Sequence, residues 1–225
     1  MEGKSCAIVG ASGILQYSNF GTEIDAHDVV VRFGLPNLDK EISGVKTSIL
    51  LINPSALFMS NTTALSQSIL NGARQTVQVL NPKIISVNCC TRLCYEKVHK
   101  LKEDDFIFQH RNTTASACSY ISEVTRHLKD KYNWTSSGSI PRSGLLYMFP
   151  FLENCKRVGF YGQWPFALDC RDKPVQYHYW EDAPGLINPV HDSEADFATF
   201  LRVVNVYENA HNNLPIELTK CRTDS

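Results

Sequence analysis

Three groups of residues in this sequence are of the right type to do chemistry. The first is a turn, Gly10-Ala11-Ser12-Gly13, entered from the apolar run Ser5-Cys6-Ala7-Ile8-Val9. A strand that runs into a glycine-rich turn can present backbone N–H groups to an anion, or the turn can be a tight connection and nothing more. It is neither GxGxxG nor GxxxxGK[ST], which removes the dinucleotide and P-loop fingerprints. The second group is a pair of histidines, His178 and His191, around a stretch rich in aromatic residues and proline. Imidazole exchanges protons near neutral pH and so suits general acid and base work, although a lone histidine is as often packed or placed at a helix start. The third is Cys90-x3-Cys94-x4-His99, which reads either as half a metal site without its second half or as buried thiols.

The elements that must position these groups alternate along the chain. Residues 5–9, Val29 to Phe33 and Ser48 to Ile52 are short apolar runs that read as buried strands. Asn53-Pro54-Ser55 reads as a turn and N-cap. Val77 to Leu80 and Lys83 to Ile85 fit further strand or buried segments. Ala117, Tyr120, Ile121, Val124 and Leu128 recur at helical spacing over residues 117–131. Ser143-Gly144 opens another helix, whose first amides and dipole favour an anion or serve as a plain cap. Arg157 to Gly162 is a strand ending on glycine, residues 163–190 are a long loop, and Asp192 to Tyr207 is a helix. No repeat, linker or low-complexity tract interrupts residues 1–225, and the alternation predicts one α/β domain with helices on the faces of a mostly parallel sheet.

Composition narrows the class of partner. The chain has 225 residues with 22 basic and 23 acidic side chains, a net charge of −1 that gives no electrostatic case for nucleic acid. No apolar run reaches the ~18 residues of a membrane span, and the first residues are no signal peptide. The first strand begins almost at once, so the sequence is expected to be a catalytic piece lacking an upstream anchor and stem, with a membrane reached only through such a segment. Eight cysteines and sequons at Asn61, Asn112 and Asn133 favour a lumen where disulfides persist.

Four stretches in order then carry a resemblance. Cys6 to Leu15 continues through Ser18-Asn19-Phe20-Gly21-Thr22 to Asp25, His27, Asp28 and Arg32. This resembles the large sialylmotif of animal-type sialyltransferases. Pro141-Arg142-Ser143-Gly144-Leu145, Cys155 and Val158 to Gly162 resemble the small motif. His178-Tyr179-Trp180-Glu181 resembles the third, and His191 with Asp196 the very small one. Leu35-Pro36, Asn53-Pro54-Ser55, Trp164-Pro165-Phe166 and Lys173-Pro174-Val175 look most like the α2,8 or polysialyltransferase branch.

The resemblance implies a GT-A-like, Rossmann-related fold, a Golgi location, and inverting transfer of sialic acid from CMP-sialic acid to a sialylated glycoprotein or glycolipid. No metal or other cofactor is expected. Metal-dependent nucleotide-sugar enzymes usually carry a DxD pair, and Asp104-Asp105 and Glu194-Ala195-Asp196 fit that poorly. By resemblance His191 is the base and His178 meets the leaving phosphate. Gly10, Ser12, Gly13, Asn53, Ser143, Gly144 and Trp164 bind donor, Arg32 and Asp196 support them, and Cys6 pairs with Cys155. Trp164 and Asn53 have the simpler alternatives of core packing and helix capping.

The pattern departs from the family in places. Ala11 and Gly34 stand where donor-binding asparagines are expected, with Asn19 and Asn37 the nearest replacements. Phe20 stands in place of a cysteine, which leaves Cys221 to pair with Cys170, Cys118 or another chain. Asp196 replaces a glutamate. Two alternatives to an active sialyltransferase therefore stand: a glycan- or nucleotide-binding protein on the same fold, and a transferase with another nucleotide-sugar donor.

Overall fold

The structure is a computed structural model and describes residues 2–53, 67–88, 92–104, 113–116, 118–138, 140–180, 191–210 and 216–218. Seven strands form its sheet: β1 (Ser5–Val9), β2 (Val29–Phe33), β3 (Ile49–Ile52), β4 (Ile84–Asn88), β5 (Thr113–Ser116), β6 (Arg157–Tyr161) and β7 (Ile216–Leu218). Their order across the sheet is β5-β4-β3-β2-β1-β6-β7, and every pairing is parallel. The helices are α1 (Gly21–Ala26), α2 (Gln67–Leu80), α3 (Arg92–Asp104), α4 (Cys118–Tyr132), α5 (Ser143–Leu146), α6 (Phe149–Asn154) and α7 (Ser193–Ala210).

The central strands read as unbroken apolar runs because both faces are covered. Cys6 and Ile8 point into one cluster with Val29, Val31, Val158 and Phe160, packed by Val124 and Leu128 of α4 and by Phe200 and Val203 of α7. Ala7, Val9 and Val30 point to the opposite face, with Ile24 of α1 and Tyr179. A third cluster sets Leu50, Ile52, Ile85 and Val87 against Ala73, Val77 and Leu80 of α2 and against α3.

The expected helix over 117–131 is α4, and the one over 192–207 is α7. Asp192 caps α7 by accepting from the Ala195 N–H at 3.0 Å. Of the two readings open for Val77 to Leu80, the strand is corrected. The stretch is the last turn of α2, and its buried residues belong to the i, i+4, i+7 stripe of Ala73, Val77 and Leu80. The polar β5 and the three-residue β7 carry no such signal in the sequence.

The strand order fixes where a ligand can sit. From β1 the chain adds β2 to β5 on one side, then returns to add β6 and β7 on the other. The turns that leave β1 and β6 therefore diverge and open a crevice at the carboxyl ends of the strands. At the other end of the same pair, Cys6 and Cys155 form a disulfide with a Cα–Cα distance of 6.1 Å. Cys94 and Cys170 each take part in a further disulfide, with partners outside the described residues. A thiol in a disulfide is no metal ligand, which closes the half-site reading of Cys90, Cys94 and His99. Cys90, Cys221 and the sequons at Asn61 and Asn112 lie outside the described residues. No described helix is long and apolar enough to cross a membrane.

Candidate functional site

A cleft of about 520 Å³ lies over this crevice. Four strand ends contribute to its wall: Gly10, Ala11 and Ser12 after β1, Phe33 and Gly34 at the end of β2, Asn53 after β3, and Gly162, Gln163 and Trp164 after β6. Ser143 and Gly144 of α5, His178 and His191 complete it. Folding thus gathers into one cleft most of the residues singled out in the sequence.

Three of the four N–H groups of the glycine-rich turn are bonded within the protein: Gly10 donates to the Tyr161 carbonyl at 2.7 Å, Ser12 to Gly162 at 3.3 Å and Gly13 to Gln176 at 3.2 Å. Ser12 Oγ accepts from the Ile14 N–H. The glycines are there for close approach. A Cβ on Gly10 would meet the Gly162 carbonyl oxygen at 2.2 Å, and one on Gly13 the Gln176 carbonyl oxygen at 2.5 Å. Gly13 does not line the cleft. The turn ties β1 to β6 and to a strap over residues 176–180.

That strap carries His178. The Tyr179 N–H donates to the Ala11 carbonyl at 3.0 Å, and Gln16 Nε2 to the Tyr179 carbonyl at 2.9 Å. The His178 ring stacks on Trp180 at 4.5 Å between centroids and lies 4.3 Å from Tyr177. The Tyr179 side chain turns inward to Arg32, which is 1% exposed. Arg32 donates through Nε to the Lys46 carbonyl and Thr47 Oγ1, and through Nη2 to the Ser43 carbonyl. Burial pulls its guanidinium below the usual arginine range, opposed by Tyr179 and Asp25. Arg32 is a buried post beneath the strap and does not reach the cleft.

His191 enters from the start of α7. Its Nδ1 lies 2.8 Å from the Ile140 carbonyl oxygen. A carbonyl can only accept, so Nδ1 donates, and in the neutral ring Nε2 is the nitrogen with the lone pair. Asp196, one turn further on, is 3% exposed and accepts from Trp134 Nε1 at 2.8 Å and from the Arg142 N–H at 3.0 Å. Desolvation pushes its carboxyl above the ordinary value, against the pull of those two bonds. Its shorter side chain holds the residue that precedes α5 and so fixes the Ser143 and Gly144 amides at the wall.

Trp164 lies edge-on to Phe166 and Phe197 and donates its indole N–H to the Leu168 carbonyl at 2.8 Å, so it is packed and lines the cleft at once. Asn53 lies at the wall; the helix it was expected to cap lies outside the described residues. Asn19 and Asn37 do not line the cleft, so neither replaces the missing asparagines. Phe20 packs on Tyr161 at 5.6 Å. Arg142 and Gln163 line the wall and were not picked out in the sequence as site residues. No group of metal-binding side chains occurs among the described residues.

A parallel α/β sheet with a cleft over its switch point, lined among the described residues by Arg142 and by no aspartate or glutamate, defines the class of α/β proteins that take a ligand at the carboxyl ends of their strands. The sequence pattern of glycosyltransferase family 29 (sialyltransferase) matches residues 2–206, and the chain belongs to that family. It is 25% identical to the Alpha-N-acetylneuraminide alpha-2,8-sialyltransferase of Xenopus laevis over 98% of its own length and 60% of that protein's. It therefore spans somewhat more than half of this curated relative. A crystal structure of a mammalian sialyltransferase has the same fold, with a TM-score of 0.63 at 20% identity, over 98% of this chain and 70% of that one. So has the sialyltransferase CstII of Campylobacter jejuni in complex with cytidine-5'-monophosphate, with a TM-score of 0.53 at 12% identity, covering 98% and 81%.

Proposed function

We propose that this chain is the catalytic domain of an α2,8-type sialyltransferase that moves sialic acid from CMP-sialic acid to a glycan ending in sialic acid, on a glycoprotein or glycolipid. The observation that carries the reading is the 2.8 Å contact of His191 Nδ1 with the Ile140 carbonyl oxygen, in the same cleft as His178. It places the proton of the neutral ring on Nδ1 and leaves Nε2 as the basic nitrogen. In the proposed step the acceptor hydroxyl gives its proton to His191 Nε2 as its oxygen bonds to the anomeric carbon. The bond from that carbon to the CMP phosphate oxygen breaks. His178 and the Ser143 and Gly144 amides meet the charge gained by the phosphate. The step inverts the anomeric carbon and routes nothing through a metal. Disulfides at Cys6, Cys94, Cys155 and Cys170 favour an oxidising compartment, which supports the Golgi lumen.

A second reading has its own observation. Ala11 and Gly34 line the cleft and offer no polar side chain there. A protein that binds a glycan or nucleotide without turnover, or a transferase with another donor, would also carry this pair.

Release of CMP from CMP-sialic acid, with and without a sialylated acceptor, decides among them. Acceptor-stimulated release is expected. No release, with the melting temperature raised by CMP, would leave the binding protein; a response to UMP or GMP in place of CMP would leave the altered donor. Gly34→Asn adds a further check. Gly34 has φ +76°, a Cβ added to it would meet no atom within 4 Å, and asparagine tolerates that backbone region. The variant is expected to bind CMP roughly tenfold more tightly, read by calorimetry.

A further inference from the structure

Arg142 is the only lysine or arginine that lines the cleft among the described residues, and no aspartate or glutamate lines it. Its position is set twice. Its N–H donates to Asp196 Oδ2 at 3.0 Å, and its Nη2 donates to Ser193 Oγ at 2.7 Å. The guanidinium is thereby held between the start of α5 and the start of α7, on the His191 side. Asp196 accepts from Trp134 and the Arg142 backbone N–H, and no hydrogen bond joins its carboxylate to the guanidinium. Nε is buried and has no hydrogen-bond partner among the described residues. A buried donor without an acceptor is desolvated for no return and calls for an explanation, and the guanidinium that carries it lines the cleft.

A guanidinium fork matches a planar carboxylate with two parallel bonds, a match that an ammonium or an amide cannot make. On the sialyl-transfer reading above, on which this rests, the CMP phosphate is met by His178 and the α5 amides. The anion left over is the carboxylate that sialic acid bears on its anomeric carbon, present in the donor and again in the acceptor's terminal sugar. We propose that Arg142 binds a sialic-acid carboxylate in this cleft. A charge-assisted fork there would also offset the side-chain donors missing at Ala11 and Gly34.

The test measures binding of CMP and of a slow-reacting 3-fluoro CMP-sialic acid by calorimetry, and KM for a sialylated acceptor, in wild type, Arg142→Gln and Arg142→Lys. If the donor carboxylate is the ligand, Arg142→Gln binds the fluoro analogue at least roughly tenfold more weakly and CMP as before. If it is the acceptor's, both nucleotides bind as before and the acceptor KM rises by a similar factor. Arg142→Lys keeps the charge and the tether's length class without the fork, and should recover part of either loss. It also stands in should the glutamine variant fail to fold. Two results overturn the assignment: CMP and its analogue weakening together, or neither binding nor KM changing in either variant. Wild-type protein that binds neither nucleotide would fail the transferase reading itself, before any variant is compared.

Discussion

Replacing His191 with alanine is expected to lower acceptor-dependent CMP release by roughly 10²–10⁴-fold, the usual worth of a positioned general base. CMP binding should hold, because on the proposed reading the phosphate is met by His178 and the α5 amides. The simpler role for His191 is a tether: its Nδ1–H joins the start of α7 to the Ile140 carbonyl. His191→Asn separates the two. An asparagine amide can still donate to that carbonyl but has no basic nitrogen to offer the acceptor. As a base, His191 makes the asparagine variant as inactive as the alanine one, with a melting temperature near wild type. Added imidazole should restore part of the activity of the alanine variant. An active asparagine variant would make the residue a tether and move the search for the base elsewhere in the cleft.

The sequence was most legible where the physics is local. β1, β2, β3 and β6 are buried on both faces, so their side chains are apolar but for Ser5, Arg32 and Arg157, and short apolar runs reveal them. α4 and α7 cover one face each and show the corresponding stripe. Val77 to Leu80 misleads because four residues cannot distinguish a strand from the end of an amphipathic helix; only Ala73, one turn earlier, reveals the period. The site follows the same division. His178, His191, Ser143, Gly144 and Asn53 stand beside strong local signals and do line the cleft. The roles of the backbone were not legible. Which carbonyl takes the Gly10, Ser12 or Gly13 amide depends on β6 and on the strap, more than 140 residues away. Arg142 became a site residue only once Asp196 and Ser193, over 50 residues on, fixed its direction.

Breaking the Cys6–Cys155 disulfide should be the most damaging change to stability. The bond closes a loop across a sequence separation of 149. In the chain-entropy model a loop that long restricts the unfolded chain by about 5 kcal/mol at 25 °C, and native disulfides cost about 2–5 kcal/mol to remove. For a chain of this size that is a fall in melting temperature of roughly 5–20 °C. Cysteine-to-alanine variants are the right probe, since a reductant would also attack the bonds at Cys94 and Cys170. Cys6→Ala, Cys155→Ala and the double variant should lose nearly the same amount, because the energy belongs to the crosslink and not to either side chain. A double variant that lost the sum of the two singles would assign the energy to packing of the sulfurs among the core residues around Cys6, which is fully buried. The site itself should survive in the folded fraction. β1 and β6 remain paired from Ser5–Arg157 to Val9–Tyr161, and Gly10 and Ser12 still bond to Tyr161 and Gly162 at the cleft end. CMP affinity in that fraction is therefore expected to stay within about threefold of wild type, a difference worth less than ~1 kcal/mol. A larger loss at low temperature, with the fold intact by circular dichroism, would mean that the disulfide sets the geometry of the switch point as well as its stability.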